Sequence, residues 1–444
     1  MRKDRPLVVL VALLMLAFVL VFWFFPRSTY SELEKRDLRQ FPEFSWQSLC
    51  DGSFTSDVSN WFSDSEPFRD VFMTGSMRLK SWMTISWFAN HDKVTFHAPA
   101  PEEETVVEEE EIVPPQAPVV ADQRNIQKFQ SEVPVQAKME NSGVIVVGSA
   151  PTARALMAFN NKKGGEKGFA KVVNLYQETF GPDVNVYCMV IPTATEFYCP
   201  ESARSCSQSE FLVLSDLYAQ IDSTVRVVDV YMALRNHVNE DIYLRTDHHW
   251  SPLGAYYAAR QFAMVAGVKV PELEEYEPRT IKGFVGSMYG YSKDITVKKS
   301  PEDFVYYTPR DVNYSTTYRV YTLDKDYRIT GEKKARKGDF FVAVSNTSSA
   351  YCTFMGSDVR ITQVKTDADS DRRLLVLKDS FGNAIPGYLF DSFEEIHVVD
   401  FRYFTYNIKD YVDQNGITDI LMANNISQVC SGAIGAAYKK FLVN

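Results

Sequence analysis

Positive charge is in short supply in this chain. Its 444 residues carry 47 lysines and arginines against 57 aspartates and glutamates, a formal net charge of −10, and no basic stripe relieves the deficit. A surface that neutralises phosphates needs a local excess of positive charge, so a nucleic-acid partner is excluded. Cysteine is scarce, with six residues and no CxxC pair, which argues against a zinc knuckle. No internal repeat is evident, so nothing points to a solenoid or propeller. Histidine is equally rare: there are six, and two of them, His248 and His249, stand side by side.

What is present begins with one long apolar run. Leu7 to Phe25 is free of charge, and roughly 20 residues at about 1.5 Å per residue span a bilayer's hydrocarbon core. Arg2, Lys3 and Arg5 precede it, which keeps residues 1–6 in the cytoplasm and exports the chain beyond Arg27. Phe24-Phe25-Pro26-Arg27 lacks the small residues of a signal-peptidase site, so the run reads as an uncleaved anchor over 7–25. Residues 31–95 form a juxtamembrane helical region with Trp46, Trp61, Trp82 and Trp87 and helical spacing from Asp70 to Trp87, placed either on the membrane or beneath the main domain. Residues 97–123 combine prolines with seven glutamates and read as a solvated linker. In an exported chain an even cysteine count leaves room for disulfides. Cys199 and Cys206 are the expected loop pair, with Cys188 and Cys352 as small buried hydrophobes.

The whole chain is 45% hydrophobic, and the remainder, 124–444, is long enough for a sizeable core. Short β-branched runs at 144–147, 184–191, 225–230, 374–378, 396–400 and 417–423 alternate with helical segments. Continuous apolar strands separated by helices imply an α/β domain of three layers around a mostly parallel sheet. Between about 283 and 351 the chain turns polar and tyrosine-rich, which predicts an antiparallel insertion.

In open parallel sheets the ligand crevice lies beyond the carboxyl ends of the strands. Leu374 to Lys378 is followed at once by Asp379-Ser380-Phe381-Gly382-Asn383, and a helix-compatible run starts at Ala384. Ser380 therefore stands at a strand-to-helix turn, either as a helix N-cap or as a nucleophile. In the second case the N–H groups of Phe381 and Gly382, with Asn383 beside them, face a developing oxyanion. A serine nucleophile needs a base, and His248 and His249 are the candidates. Ser251 reads as an N-cap and Pro252 as the first residue of a helix that buries Tyr256, Ala259 and Phe262. On the extended loop before it, Asp247 and His249 are two apart and share a side, where the carboxylate can fix the imidazole tautomer. His248 faces the other way, as a structural hydrogen-bonder or a substrate contact. A capping aspartate with two satisfied histidines is the plainer alternative. Metal ligation by Asp247, His248 and His249 is the rival, but His91, His97, His237 and His397 form no second cluster, and no metal or other cofactor is expected. Arg402 and Tyr403 follow the strand run at 396–400, and Asn424 and Asn425 close the run at 417–423. An amide can donate to an oxyanion, and a guanidinium can bind a carboxylate or sugar hydroxyl.

TDHHWSPLGAYYA (246–258) and LLVLKDSFGNA (374–384) together resemble the DHHW family of the SGNH hydrolase-like superfamily. EKRDLRQFP (34–42), SEPFRD (65–70), VIPTATEFY (190–198) and VVDFRYF (398–404) agree with it, so the resemblance covers most of the exported chain but not the linker. The family is similar to the SGNH-like domains of alginate O-acetyltransferases, in which an Asp-x-His-Trp element precedes the serine. The resemblance implies Ser380 as nucleophile, His249 as general base and then acid, and Asp247 as its orienter. In ordinary SGNH enzymes a glycine and an asparagine complete the oxyanion hole. Here the asparagine corresponds to Asn424 or Asn425, and Arg402 stands about where the glycine is expected. The resemblance further implies a membrane-anchored, extracytoplasmic O-acetyltransferase acting on a cell-envelope polysaccharide, supplied by a membrane-bound O-acyltransferase partner. The same three residues would serve an esterase or deacetylase, and a non-catalytic glycan-binding scaffold would keep the fold.

Overall fold

The computed structural model describes residues 27, 30–31, 36–50, 53–68, 94–97, 143–161, 163–323, 329–356, 358 and 360–443. The expected anchor at 7–25, the helical spacing at 70–87 and the linker beyond His97 lie outside them. Among the described residues no helix is long and apolar enough to cross a membrane.

Two compact units are present, residues 1–90 with 289–295, and residues 91–288 with 296–444. In the first, the helices Trp46–Cys50 and Ser53–Asp64 follow a short strand pair, Tyr30–Ser31 with Arg36–Asp37.

The second unit is built on a nine-stranded sheet. Its strands, in chain order, are β1 (Asn185–Ile191), β2 (Arg226–Val227), β3 (Tyr314–Leu323), β4 (Ile329–Glu332), β5 (Arg336–Gly338), β6 (Arg360–Thr366), β7 (Arg373–Lys378), β8 (Glu395–Asp400) and β9 (Asp419–Asn425). The spatial order is β4-β3-β6-β8-β7-β9-β1-β2, with β5 also pairing on β3. Burial explains why β7 is central. Leu374, Leu375, Val376 and Leu377 are all fully buried, and sealing each such side chain contributes about 1.5–3 kcal/mol, so a strand apolar on both faces is driven inward. Alternate residues serve opposite cores. Leu374 and Val376 join Leu421, Ala423 and Met189 against Tyr256, Ala259 and Phe262 of the helix Pro252–Ala266. Leu375 and Leu377 join Ile420, Met422 and Val190 against Phe169 and Tyr176 of the helix Gly165–Phe180 and Tyr438 of the helix Ala433–Phe441.

The sheet is mixed rather than mostly parallel. β8-β7-β9-β1-β2 run parallel, but β6 pairs antiparallel with β8, and β3, β4 and β5 continue antiparallel from it. The polar run around Tyr318 thus extends the main sheet, while Glu277–Phe284 and Glu302–Thr308 form a separate antiparallel pair. A second difference concerns Val144–Val147, expected as a strand of the main sheet. It lies between Val94–His97 and Arg154–Met157 in an antiparallel sheet of three strands. The turn at Ser149–Thr152 sends the chain straight back, and a six-residue return can pair only antiparallel, because a parallel neighbour needs a crossover of about a dozen residues. The expected cysteine pair is not joined: Cys199 and Cys206 are both free, Cys199 packing in the first core with its thiol pushed up to about 11 by burial. Cys188 is buried as expected, whereas Cys352 is exposed.

Candidate active site

The carboxyl ends of β7, β9 and β8 share one edge, since Lys378 is level with Ala423 and with Asp400. The chain leaves β7 into a 3-10 turn, Ser380–Ala384, and a second short one, Pro386–Tyr388, follows where a longer helix was expected. Asp379, not Ser380, is the N-cap. Its Oδ1 accepts from Phe381 N at 2.9 Å and its Oδ2 from Asn425 N at 2.6 Å, so one carboxylate ties the turn to the end of β9. Burial pushes that carboxyl up to about 6 against the pull of the two N–H groups.

The histidine loop is closed by an antiparallel bridge between Tyr243 and Trp250, and Ser251 caps the helix that begins at Pro252 by accepting from Gly254 N at 3.2 Å. On this loop His249 Nδ1 lies 2.6 Å from Asp247 Oδ1, and His249 Nε2 lies 2.8 Å from Ser380 Oγ. An ionised carboxylate only accepts, so Nδ1 carries the proton and Nε2 is left to accept from the serine hydroxyl. Burial by itself pushes the Asp247 carboxyl up. The imidazoles of His249 and His248 and the N–H of Ser287, at 2.8 Å from Oδ2, outweigh it and hold Asp247 far below the carboxylate range. Asp247 and His249 are nearly sealed, while Ser380 is half-buried at the open edge.

Several groups that sequence reasoning did not identify hold this geometry. Tyr351 stacks flat on His249, 3.9 Å between centroids at 7°, and its hydroxyl donates to Phe381 O at 3.1 Å. Trp250 Nε1 donates to the same carbonyl at 2.9 Å. Glu302 supports the loop from behind, accepting from Arg245 N at 2.8 Å and from Thr246 N and Oγ1 at 2.7 and 2.6 Å. Gly286 passes so close that a Cβ there would stand 2.4 Å from Asp247 Oδ2, so only glycine fits. Trp250 stands in the motif itself, but Tyr351, Glu302 and Gly286 have no local sequence signal. Tyr351 and Glu302 reach the loop from segments about 50 to 100 residues away.

His248 Nδ1 lies 2.6 Å from Ser287 Oγ, off the relay. Burial and the neighbouring His249 push its imidazole down to about 3 against the pull of Asp247, so it is neutral. Ligand atoms of Asp247, His248 and His249 fall within 4.8 Å of one another, close enough to share an ion. Both nitrogens of His249, however, are already engaged by Asp247 and Ser380.

The expected oxyanion and substrate contacts sit differently. Phe381 N is taken by Asp379, and Gly382 N donates to Asp379 O at 3.1 Å, because a capped 3-10 turn uses its own first N–H groups. Asn425 is spent on Asp379 and on capping the next helix, and Asn424 Oδ1 accepts from Tyr438 at 3.0 Å. Asn383 donates to Asp358 at 3.0 Å. Arg402 makes paired bonds to Asp400 at 2.7 and 2.8 Å and one to Asp358 at 2.9 Å, with Tyr403 packed on the second core. Buried Lys378 completes this ion cluster, 2.9 Å from Asp358 and 3.1 Å from Asp400.

A family model described as DHHW protein matches residues 34–146 and 130–399. Among solved structures, a DHHW family protein from Eubacterium siraeum is 36% identical, with a TM-score of 0.60 over 69% of this chain and 98% of that one. Bacillus cereus PatB1 with a sulfonyl adduct is 19% identical, with a TM-score of 0.52 over 68% of this chain and 99% of that one. PatB1 without the adduct scores 0.53. At that identity the likeness is one of fold. No curated protein matches.

Proposed function

The chain belongs to the DHHW family, and from that premise we propose that it is a membrane-anchored, extracytoplasmic O-acetyltransferase that modifies a cell-envelope polysaccharide through an acyl-Ser380 intermediate. The observation that carries the reading is the unbroken chain of short contacts from Asp247 through His249 to Ser380, at 2.6 and 2.8 Å. In the first half-reaction Ser380 Oγ bonds to the acyl carbonyl carbon while its proton passes to His249 Nε2. Collapse of the tetrahedral intermediate breaks the bond to the donor's leaving atom, which takes that proton from Nε2. In the second half-reaction a sugar hydroxyl gives its proton to Nε2, attacks the acyl carbon, and Ser380 Oγ leaves and recovers the proton. Asp247 stabilises the imidazolium in both halves. The anchor is the run Leu7–Phe25, and a membrane-bound O-acyltransferase is the proposed acetyl supplier.

A sulfonyl adduct is present in the PatB1 structure, and a sulfonyl fluoride is the matching probe here. The full chain is expected to label once, and Ser380→Ala to lose both the label and envelope O-acetylation. Envelope acetylation unchanged in a Ser380→Ala strain would sink the proposal. Supplying an acetyl ester with and without acceptor oligosaccharide separates transfer from hydrolysis: faster donor consumption with acetylated sugar as product is the transferase outcome.

A further inference from the structure

Ten large apolar side chains are exposed among the described residues, and six of them fall between Phe41 and Phe68. Trp46 is 74% exposed, Phe41 57% and Phe44 53%, with Leu49 beside them. The rings form a continuous patch. Phe44 meets Trp46 at 5.3 Å and Phe54 at 5.2 Å, and Phe41 meets Phe54 at 6.3 Å and Trp61 at 4.8 Å, all edge to face. Contiguous exposed aromatics of this kind mark an interaction surface.

The first described residue of this unit points to the occupant. Arg27 lies with its guanidinium 4.1 Å over the Trp61 ring, and its Nη1 donates to Ser65 Oγ at 2.8 Å. Ser65 Oγ in turn donates to Trp61 O, so Arg27 is fastened to the helix Ser53–Asp64 that carries Phe54 and Trp61. In the sequence Arg27 is separated from the apolar run Leu7–Phe25 by Pro26 alone. The exposed rings therefore belong to the same cluster as Arg27, which is two residues in sequence from the end of that run. Tryptophan and phenylalanine so close in sequence to an apolar run suit the headgroup level, where an aromatic ring buries its apolar body and an arginine keeps its charge in water.

We propose that Phe41, Phe44 and Trp46 form an interfacial foot that rests in the outer surface of the lipid bilayer. The inference depends on the reading of Leu7–Phe25 as the anchor, and two tryptophans test the two ideas separately, because Trp23 lies inside the run and Trp46 on the foot.

The full chain is reconstituted into phosphatidylcholine and phosphatidylglycerol vesicles whose phosphatidylcholine is brominated either near the carbonyl or near the methyl end of the acyl chain. The fluorescence lost on Trp46→Phe isolates the foot, and that lost on Trp23→Phe isolates the anchor. The Trp46 component is expected to fall by about half with shallow bromine, less with deep bromine, and to resist aqueous iodide. Trp46 quenched by iodide and not by bromine, while Trp23 is quenched by bromine, overturns the foot and leaves the anchor standing. Trp46 shielded from both reagents also overturns it, since a protein surface then covers the ring. Neither tryptophan quenched by bromine removes anchor and foot together.

Discussion

The two halves of the relay are held by unlike means. The histidine loop hangs largely from neutral donors: Ser287 N on Asp247 and Gly286 N on Thr246, with the Glu302 carboxylate receiving the backbone from behind. The serine turn is held by charge, through Asp379 and the cluster of Lys378, Asp358, Asp400 and Arg402. The difference places ionisation where each half needs it. The charge that touches the imidazole is Asp247, which fixes the tautomer, so altering it should cost chemistry. Around the serine turn Lys378, Asp358, Asp400 and Arg402 pair with one another, so altering them should cost stability.

Asp247→Asn tests the first half and carries the largest expected effect. The side chain keeps its shape but can present its amide to Nδ1, and kcat/KM is expected to fall about 10³–10⁴-fold with the melting temperature nearly unchanged. A loss of less than tenfold would mean that the carboxylate is not what orients His249. Lys378→Met tests the second half. Burial alone would push the ammonium down, and Asp358 and Asp400 outweigh it. Removing it leaves fully buried Asp400 with Arg402 alone. Denaturant unfolding is expected to show a loss of about 2–4 kcal/mol, with residual activity tracking the folded fraction. Activity lost at full stability would reverse the comparison and move Lys378 into the chemistry.

Asp379→Asn should act through the pH dependence of stability. With its folded pKa raised to about 6 from 3.8, Asp379 binds its proton more tightly in the native state. It therefore favours the fold below about pH 4, and that contribution is lost as pH rises through about 6. Asp247, depressed in the fold, acts the other way and only below about pH 4. Stability profiles of wild type and variant should diverge by up to about 3 kcal/mol between pH 4 and 6, the span of that rise at about 1.4 kcal/mol per pH unit, and run parallel above pH 7. Parallel curves throughout would show that Asp379 does not titrate in that window.

Much of this was legible in the chain. The i, i+2 spacing of Asp247 and His249, Ser251-Pro252 as a helix start, and Leu374–Leu377 as a doubly buried strand are local patterns, and short-range sterics decide them. The antiparallel half of the sheet was legible only in part: the run holding β3 read as an antiparallel insertion but not as a continuation of the main sheet, and β6 was not among the expected strands, because which strand pairs with which depends on distant neighbours. Nor were the oxyanion contacts legible. Phe381, Gly382 and Asn425 are suitable donors by type, but Asp379 takes the N–H groups of Phe381 and Asn425, and the turn itself takes that of Gly382. The motif gave Asp379 no role of its own.

The sequence by itself determined which residue types are the candidates for the site and on what local elements they stand, since capping, alternation and apolar runs act over a few residues. The tertiary structure alone decided that His249 and Ser380, 131 residues apart, meet at 2.8 Å, and that Tyr351, Gly286 and Glu302 hold them there. Such contacts depend on strand order and the packing of distant segments, which many sequences share and no short pattern encodes.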